Sequence, residues 1–220
     1  LHKAETKHGR YGFVLILILL TLTFELAFPE KGWAREIGIT LQGVTLIAAL
    51  VASKIGALQV RIVSCVIAGI VVASLFVLIT TGDLGPTPAK VLGLLLAALA
   101  PAAIASGIYR HMGGEDGIIT VQTMFGVLCI YLLIGLLFAT GFGLIEAVGE
   151  PGFFSHGIVG DSSNFLYFSF ATLTTVGYGD LTAATDLGRS LAITEALIGQ
   201  IYLVTVVALI VANIGRGRQR

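Results

Sequence analysis

The chain has 220 residues, of which 56% are hydrophobic and 12% charged, and its mean hydropathy is +0.95. A soluble domain cannot bury that share of apolar surface, so the composition points to a polytopic membrane protein. Thirteen basic residues balance thirteen acidic ones without a basic patch, which leaves a nucleic-acid partner nothing to rest on. Cys65 and Cys129 sit inside apolar runs, against a disulfide framework, and His2, His8, His111 and His156 lack metal-ligand spacing.

A membrane span needs about 20 mostly apolar residues. The first candidate is 11–29, with Glu25 near its far end. It is not read as a signal peptide, because Glu25 and Pro29 follow it and no small-residue cleavage site does. The second is 37–53, short and uncharged, the third 62–82, and the fourth 91–109 with Pro101 at its middle. Residues 117–145 carry no charge for 29 residues, more than one span, so their start is expected to run along the interface before a fifth helix turns inward. The sixth span, 189–215, is interrupted mainly by Glu195 and Gln200.

Between the fifth and sixth spans the pattern changes. "GDSSN" supplies several N-caps, Asp161 to Asn164. "FLYFSFATLT" then gives about three helical turns, or roughly 15 Å at 1.5 Å per residue. That reaches only halfway through a hydrocarbon core of about 30 Å. The segment therefore reads as a re-entrant helix that descends halfway and returns as extended backbone. Such backbone is tolerated at that depth only when buried in protein or lining a watery cavity. With six spans, nine basic residues fall on the side of the termini and four on the other, which puts both termini in the cytoplasm.

The returning backbone is "TVGYG", Thr175 to Gly179. An ion crosses lipid only where something replaces its hydration shell. Successive carbonyls can do so if all face one axis, which an ordinary strand forbids. Alternating left- and right-handed residues permit it, and glycine enters left-handed space without steric cost. Gly177 and Gly179 supply those positions, which turns Val176 and Tyr178 toward the surrounding protein.

"TTVGYGD", Thr174 to Asp180, resembles the selectivity filter of tetrameric potassium channels, and the likeness runs without a gap from Asn164 to Gly199. The six-span count is similar to the voltage-gated-like members, and the compact loops suit a prokaryotic one. The resemblance implies an all-α membrane protein: six transmembrane helices, a re-entrant pore helix and an extended filter, assembled as a four-fold tetramer. It implies K+ coordination by backbone oxygens of Thr175, Val176, Gly177 and Tyr178 and by the Thr175 hydroxyl. Gly179 would shape the outer mouth, with Thr174, Asp180, Tyr167 and Glu195 supporting the filter. Tyr167 stands where tryptophan is usual, and Ala171 where some members carry a glutamate strut. Four re-entrant helices would turn their negative ends toward a central cavity.

A voltage sensor needs arginines at every third position of the fourth span. Here that span has none inside; Lys90 and Arg110 only bracket it. The channel is therefore expected not to be gated by an arginine-bearing helix. Pro101 frees a carbonyl and kinks the span. In the sixth span Glu195 is expected to accept from Ser169 or Thr172 if it faces the re-entrant helix. Gly199 stands where the family's inner helix bends, and helix packing explains it equally well. Gln200 lies near the cavity in the family; an interhelical hydrogen bond is the alternative.

The expected organisation is a cytoplasmic tail (1–10), a four-helix sensor-like domain without gating charges (11–110), a linker (111–120), a pore domain (121–215) and a basic tail (216–220). The expected function is passive, potassium-selective conduction at the plasma membrane, with no enzyme activity and no cofactor beyond K+ in the filter. A weakly selective cation channel or a potassium transporter subunit is the alternative. Expected partners are three further copies of the chain, K+, membrane lipids and a cytoplasmic regulatory domain or subunit outside this sequence. The basic tail suits an anionic inner leaflet.

Overall fold

The computed structural model describes residues 10–28, 32–53, 99, 101, 104–105, 121–148 and 152–217. The expected third span, the linker and most of the fourth span lie outside the described residues; Pro101 itself is helical. Five α-helices are described: α1 (Arg10–Ala27), α2 (Gly32–Ala52), α3 (Val121–Val148), α4 (Ser162–Leu173) and α5 (Asp186–Gly217). The one strand-like pairing among the described residues is an antiparallel bridge between Phe154 and Ala183.

Each helix follows from its sequence. In an apolar setting a backbone must satisfy its own hydrogen bonds, and a helix does this within one segment. α1 stops two residues before Pro29, which cannot continue it. α2 starts at Gly32, more than a turn earlier than the apolar count alone places the second span. α3 is one unbroken helix of 28 residues, about 42 Å long. The turn inward expected within this stretch is not seen after Val121: no proline interrupts the helix, and Gly126 is carried inside it without a break; residues 117–120 lie outside the described residues. By length and composition, Gln122–Val148 is the described helix that can cross a membrane unaided, while Tyr11–Ala27 and Thr40–Ala52 are shorter apolar helices.

Side-chain contacts fix the direction of each helix. The Tyr11 amide donates to Gln122 Oε1 (3.2 Å), and Ser163 Oγ, at the start of α4, donates to Leu26 O (3.4 Å). α1 therefore runs parallel to α3. α2 returns antiparallel, with Thr21 Oγ1 3.3 Å from Thr45 Oγ1 and Gln42 Nε2 donating to Glu25 Oε1 (2.6 Å). Val14, Ile18 and Leu22 recur every fourth residue of α1 and are buried in one apolar cluster with Leu46, Ala49 and Leu50 of α2 and Leu133 of α3. α5 runs antiparallel to α3: Tyr202 Oη donates to Val127 O (2.6 Å), and its ring stacks on Tyr131 with centroids 5.7 Å apart.

α4 is the short element between them. Its upper part packs beside the C-terminal part of α3, with Phe168 and Phe142 centroids 5.3 Å apart. Its last residue lies level with Tyr131, well inside α3, where Tyr131 Oη donates to Leu173 O (3.3 Å). α4 thus enters beside α3 and stops partway along it. Phe142, Phe153, Phe154, Phe165 and Phe168 form one aromatic cluster at its entry. Above it, Ser155 N donates to Thr182 O and Ala184 N to Phe153 O, both at 2.8 Å. These bonds tie the loop before α4 to the loop after residue 180.

Candidate functional site: the strip after α4

α4 starts and stops on identifiable groups. Of the possible N-caps, Asp161 takes the role: its backbone is extended and its carboxylate accepts from Asn164 N (2.7 Å). At the other end Thr174 is the C-cap (φ −83°) and Thr175 takes φ +59°. Thr175 N donates to Thr172 O (2.9 Å) and Val176 N to Ala171 O (2.9 Å). These two bonds with a left-handed residue between them make a Schellman motif, in which glycine normally holds the left-handed place. A β-branched residue there is a genuine outlier.

The left-handed turn at Thr175 begins an alternation. Gly177 (φ +50°) and Gly179 (φ +81°) are left-handed, while Val176 and Tyr178 keep negative φ. No heavy atom lies within 4 Å of where a Cβ would stand at either glycine, so conformation and not space calls for glycine there. The sequence reading assigned left-handed backbone to the two glycines and missed Thr175, since no residue type signals it. Alternation of this kind turns successive carbonyls toward one side. In the single chain every residue from Thr174 to Asp180 is exposed.

Ala171 takes part through its backbone. Its carbonyl accepts from Val176 N and from Gly177 N (3.0 Å), so the strip is fastened where the side-chain strut is absent. The Tyr178 ring stacks on Tyr167 of α4, with centroids 6.2 Å apart and planes 9° from parallel. The Tyr167 phenol also interacts with the Asp180 carboxylate.

Behind α4, the face of α5 bearing Glu195, Gly199 and Tyr202 packs on the chain's own helices. Glu195 is fully buried and hydrogen-bonded to Ser169, and not to Thr172. Ser169 Oγ also lies 2.7 Å from Gly135 O on α3. Gly199 is buried, and a Cβ there would lie 2.3 Å from Leu173 O, so the close approach of α5 to the end of α4 requires glycine. Gln200 projects away from this face, is exposed in the single chain, and makes no hydrogen bond to any described residue. Arg189 Nε donates to Ala183 O (3.1 Å) and holds the loop leading out of the strip. Tyr131 and Tyr202 escaped the sequence reading; a hydroxyl inside an apolar helix was the available signal.

A family model described as "Ion channel" matches residues 130–216, which take in most of α3, all of α4, the strip and nearly all of α5. No curated protein matches the chain. The matched family points to a channel rather than an enzyme, and with the apolar helix Gln122–Val148 it marks a membrane protein.

Proposed function

We propose that four copies of this chain form a potassium-selective channel that conducts K+ passively. The observation that carries this reading is the alternating backbone at Thr175, Gly177 and Gly179, held at the end of a helix that stops partway along its neighbour. One strip per chain is a quarter of a pore, and its exposure in the single chain fits closure by symmetric copies. Ile193, Leu197, Ile201 and Val204 leave an apolar stripe on the outward side of α5, each more than half exposed, which suits contact with those copies. The backbone carbonyls of Thr175, Val176, Gly177 and Tyr178, with the Thr175 hydroxyl, would replace the water around K+. Gln200 then faces the ion path or a neighbouring copy.

The parallel course of α1 and α3, with α2 returning between them, leaves zero or two crossings for residues 54–120. Two apolar stretches of spanning length, 62–82 and 91–109, favour two, and so six spans. The distribution of basic residues favours cytoplasmic termini, and nothing in the fourth span suits gating by charge movement. The test is flux in liposomes: a reversal potential that follows the K+ gradient supports the reading, and one indifferent to it refutes it.

A weakly selective cation channel is the second reading. It is favoured by the two departures around the strip, tyrosine for the usual tryptophan at position 167 and alanine for a glutamate strut at position 171. Competition between K+ and Na+ for flux separates the two.

A further inference from the structure

Three oxygens from three helices meet behind the strip: Glu195 Oε1 on α5, Ser169 Oγ on α4 and Gly135 O on α3. All three residues are buried. Ser169 has one hydroxyl proton, and a backbone carbonyl can only accept. If Glu195 were ionised it too could only accept, and one proton would serve two contacts. One pair of oxygens would then face each other with lone pairs alone. If the Glu195 carboxyl carries its proton, each contact has a hydrogen between its oxygens.

The far oxygen points the same way. Glu195 Oε2 is buried and has no hydrogen-bond partner among the described residues. An ionised carboxylate oxygen left bare in such a site is far more costly than the carbonyl oxygen of a neutral acid. No cation offsets it among the described residues: Arg189, on the same helix, is 61% exposed and turns its Nε to Ala183 O. The titratable group facing Glu195 from α3 is Tyr131, whose hydroxyl is committed to Leu173 O.

We propose that Glu195 is a neutral hydrogen-bond donor and a positioning residue: a relay from Glu195 to Ser169 to Gly135 O fastens α5, α4 and α3 together behind the strip. Its protonation rests on geometry alone; its effect on selectivity rests on the channel reading above. Glu195→Gln keeps a donor of similar shape, whereas Glu195→Ala and Ser169→Ala each break the row.

The experiment uses the full chain in liposomes. The infrared difference between wild type and Glu195→Gln, with and without isotopic labelling of glutamate, reports the state of this one carboxyl at neutral pH. A carboxylic-acid carbonyl band lost in Glu195→Gln is expected; a carboxylate band overturns the relay. Glu195→Gln is expected to keep the K+ over Na+ preference within about twofold, while Glu195→Ala and Ser169→Ala lose about tenfold, the first by emptying a buried site and releasing α5 from α4 and the second by stranding the Glu195 carboxyl and Gly135 O. If Glu195→Gln fails to assemble, or loses as much as Glu195→Ala, the relay is overturned. The acid band in a wild type that passes no K+ supports the relay and sinks the channel reading. A carboxylate band in a K+-selective wild type does the reverse.

Discussion

Replacing Gly199 with alanine decides between the two roles a glycine in α5 can have. The added Cβ would stand 2.3 Å from Leu173 O and 2.8 Å from Leu173 Cδ1, where ordinary contact begins at 3.4 Å. The leucine side chain can rotate, but the carbonyl is backbone, so α5 and the end of α4 must part by about 1 Å. Such overpacking costs about 1–3 kcal/mol. Where the end of α4 is what gives way, the 3.3 Å bond from Tyr131 on α3 to Leu173 O is disturbed as well, for about 1 kcal/mol more. Against this, alanine gains about 1 kcal/mol over glycine inside a helix. The net expectation is a loss of about 1–3 kcal/mol per chain. A glycine kept only for bending predicts the opposite sign, a gain of about 1 kcal/mol. Unfolding of the detergent-solubilised protein by heat or denaturant reads the sign directly, and an alanine variant as stable as wild type, or more so, would refute the close-contact account.

Other substitutions test the strip and its anchors separately. Gly177→Ala meets no steric obstacle but forces alanine to φ +50°, at about 1–2 kcal/mol; assembly should survive and K+ over Na+ selectivity should vanish, so a reversal potential unchanged from wild type would overturn the backbone argument. Thr175→Gly relieves a β-branched residue at φ +59°, for a net gain of about 0.5–1 kcal/mol after glycine's larger unfolded-state entropy. Its thermal midpoint should rise while selectivity falls with the lost hydroxyl, and a lower midpoint contradicts the strain. Asp161→Ala removes the acceptor for Asn164 N and should cost about 0.5–2 kcal/mol in denaturant unfolding. Tyr202→Phe keeps the stacked ring and loses the 2.6 Å bond to Val127 O, for about 0.5–1.5 kcal/mol; equal stability would mean that this bond contributes nothing.

The short helix α4 was legible because its limits are written in local chemistry. An aspartate and two serines precede an aromatic run, and glycines follow it, so α4 falls where the residues put it. The left-handed glycines of the strip were legible for the same reason. Thr175 was not, because its φ is imposed by the bonds that end α4 and not by its own preference. The partner of Glu195 was narrowed to Ser169 or Thr172 by position along the chain, and only the rotation of α5 about its axis selects Ser169. Gly199 could be weighed as hinge or contact but not decided, since the atom it makes room for is a backbone carbonyl of another helix. Tyr131 and Tyr202 count as apolar filler in a hydropathy reading, yet each spends its hydroxyl on a carbonyl of a neighbouring helix.

The end of α4 draws these contacts into one mechanical unit. A helix leaves its last four carbonyls without partners in its own ladder. Here, of the carbonyls of residues 171–174, Ala171 O accepts from Val176 N and Gly177 N, Thr172 O from Thr175 N, and Leu173 O from Tyr131 Oη. Three of the four are therefore bonded within the chain. The same bonds make the strip a continuation of α4, because its leading amides hang on the last turn of that helix. α4 is in turn held by α5 at two levels, through Glu195 on Ser169 and through Gly199 against Leu173. Those points lie one helical turn apart on α5, so a tilt or slide of α5 cannot leave both unchanged. Any such movement must reach the strip through α4, which makes the inner helix and the strip coupled by direct contact.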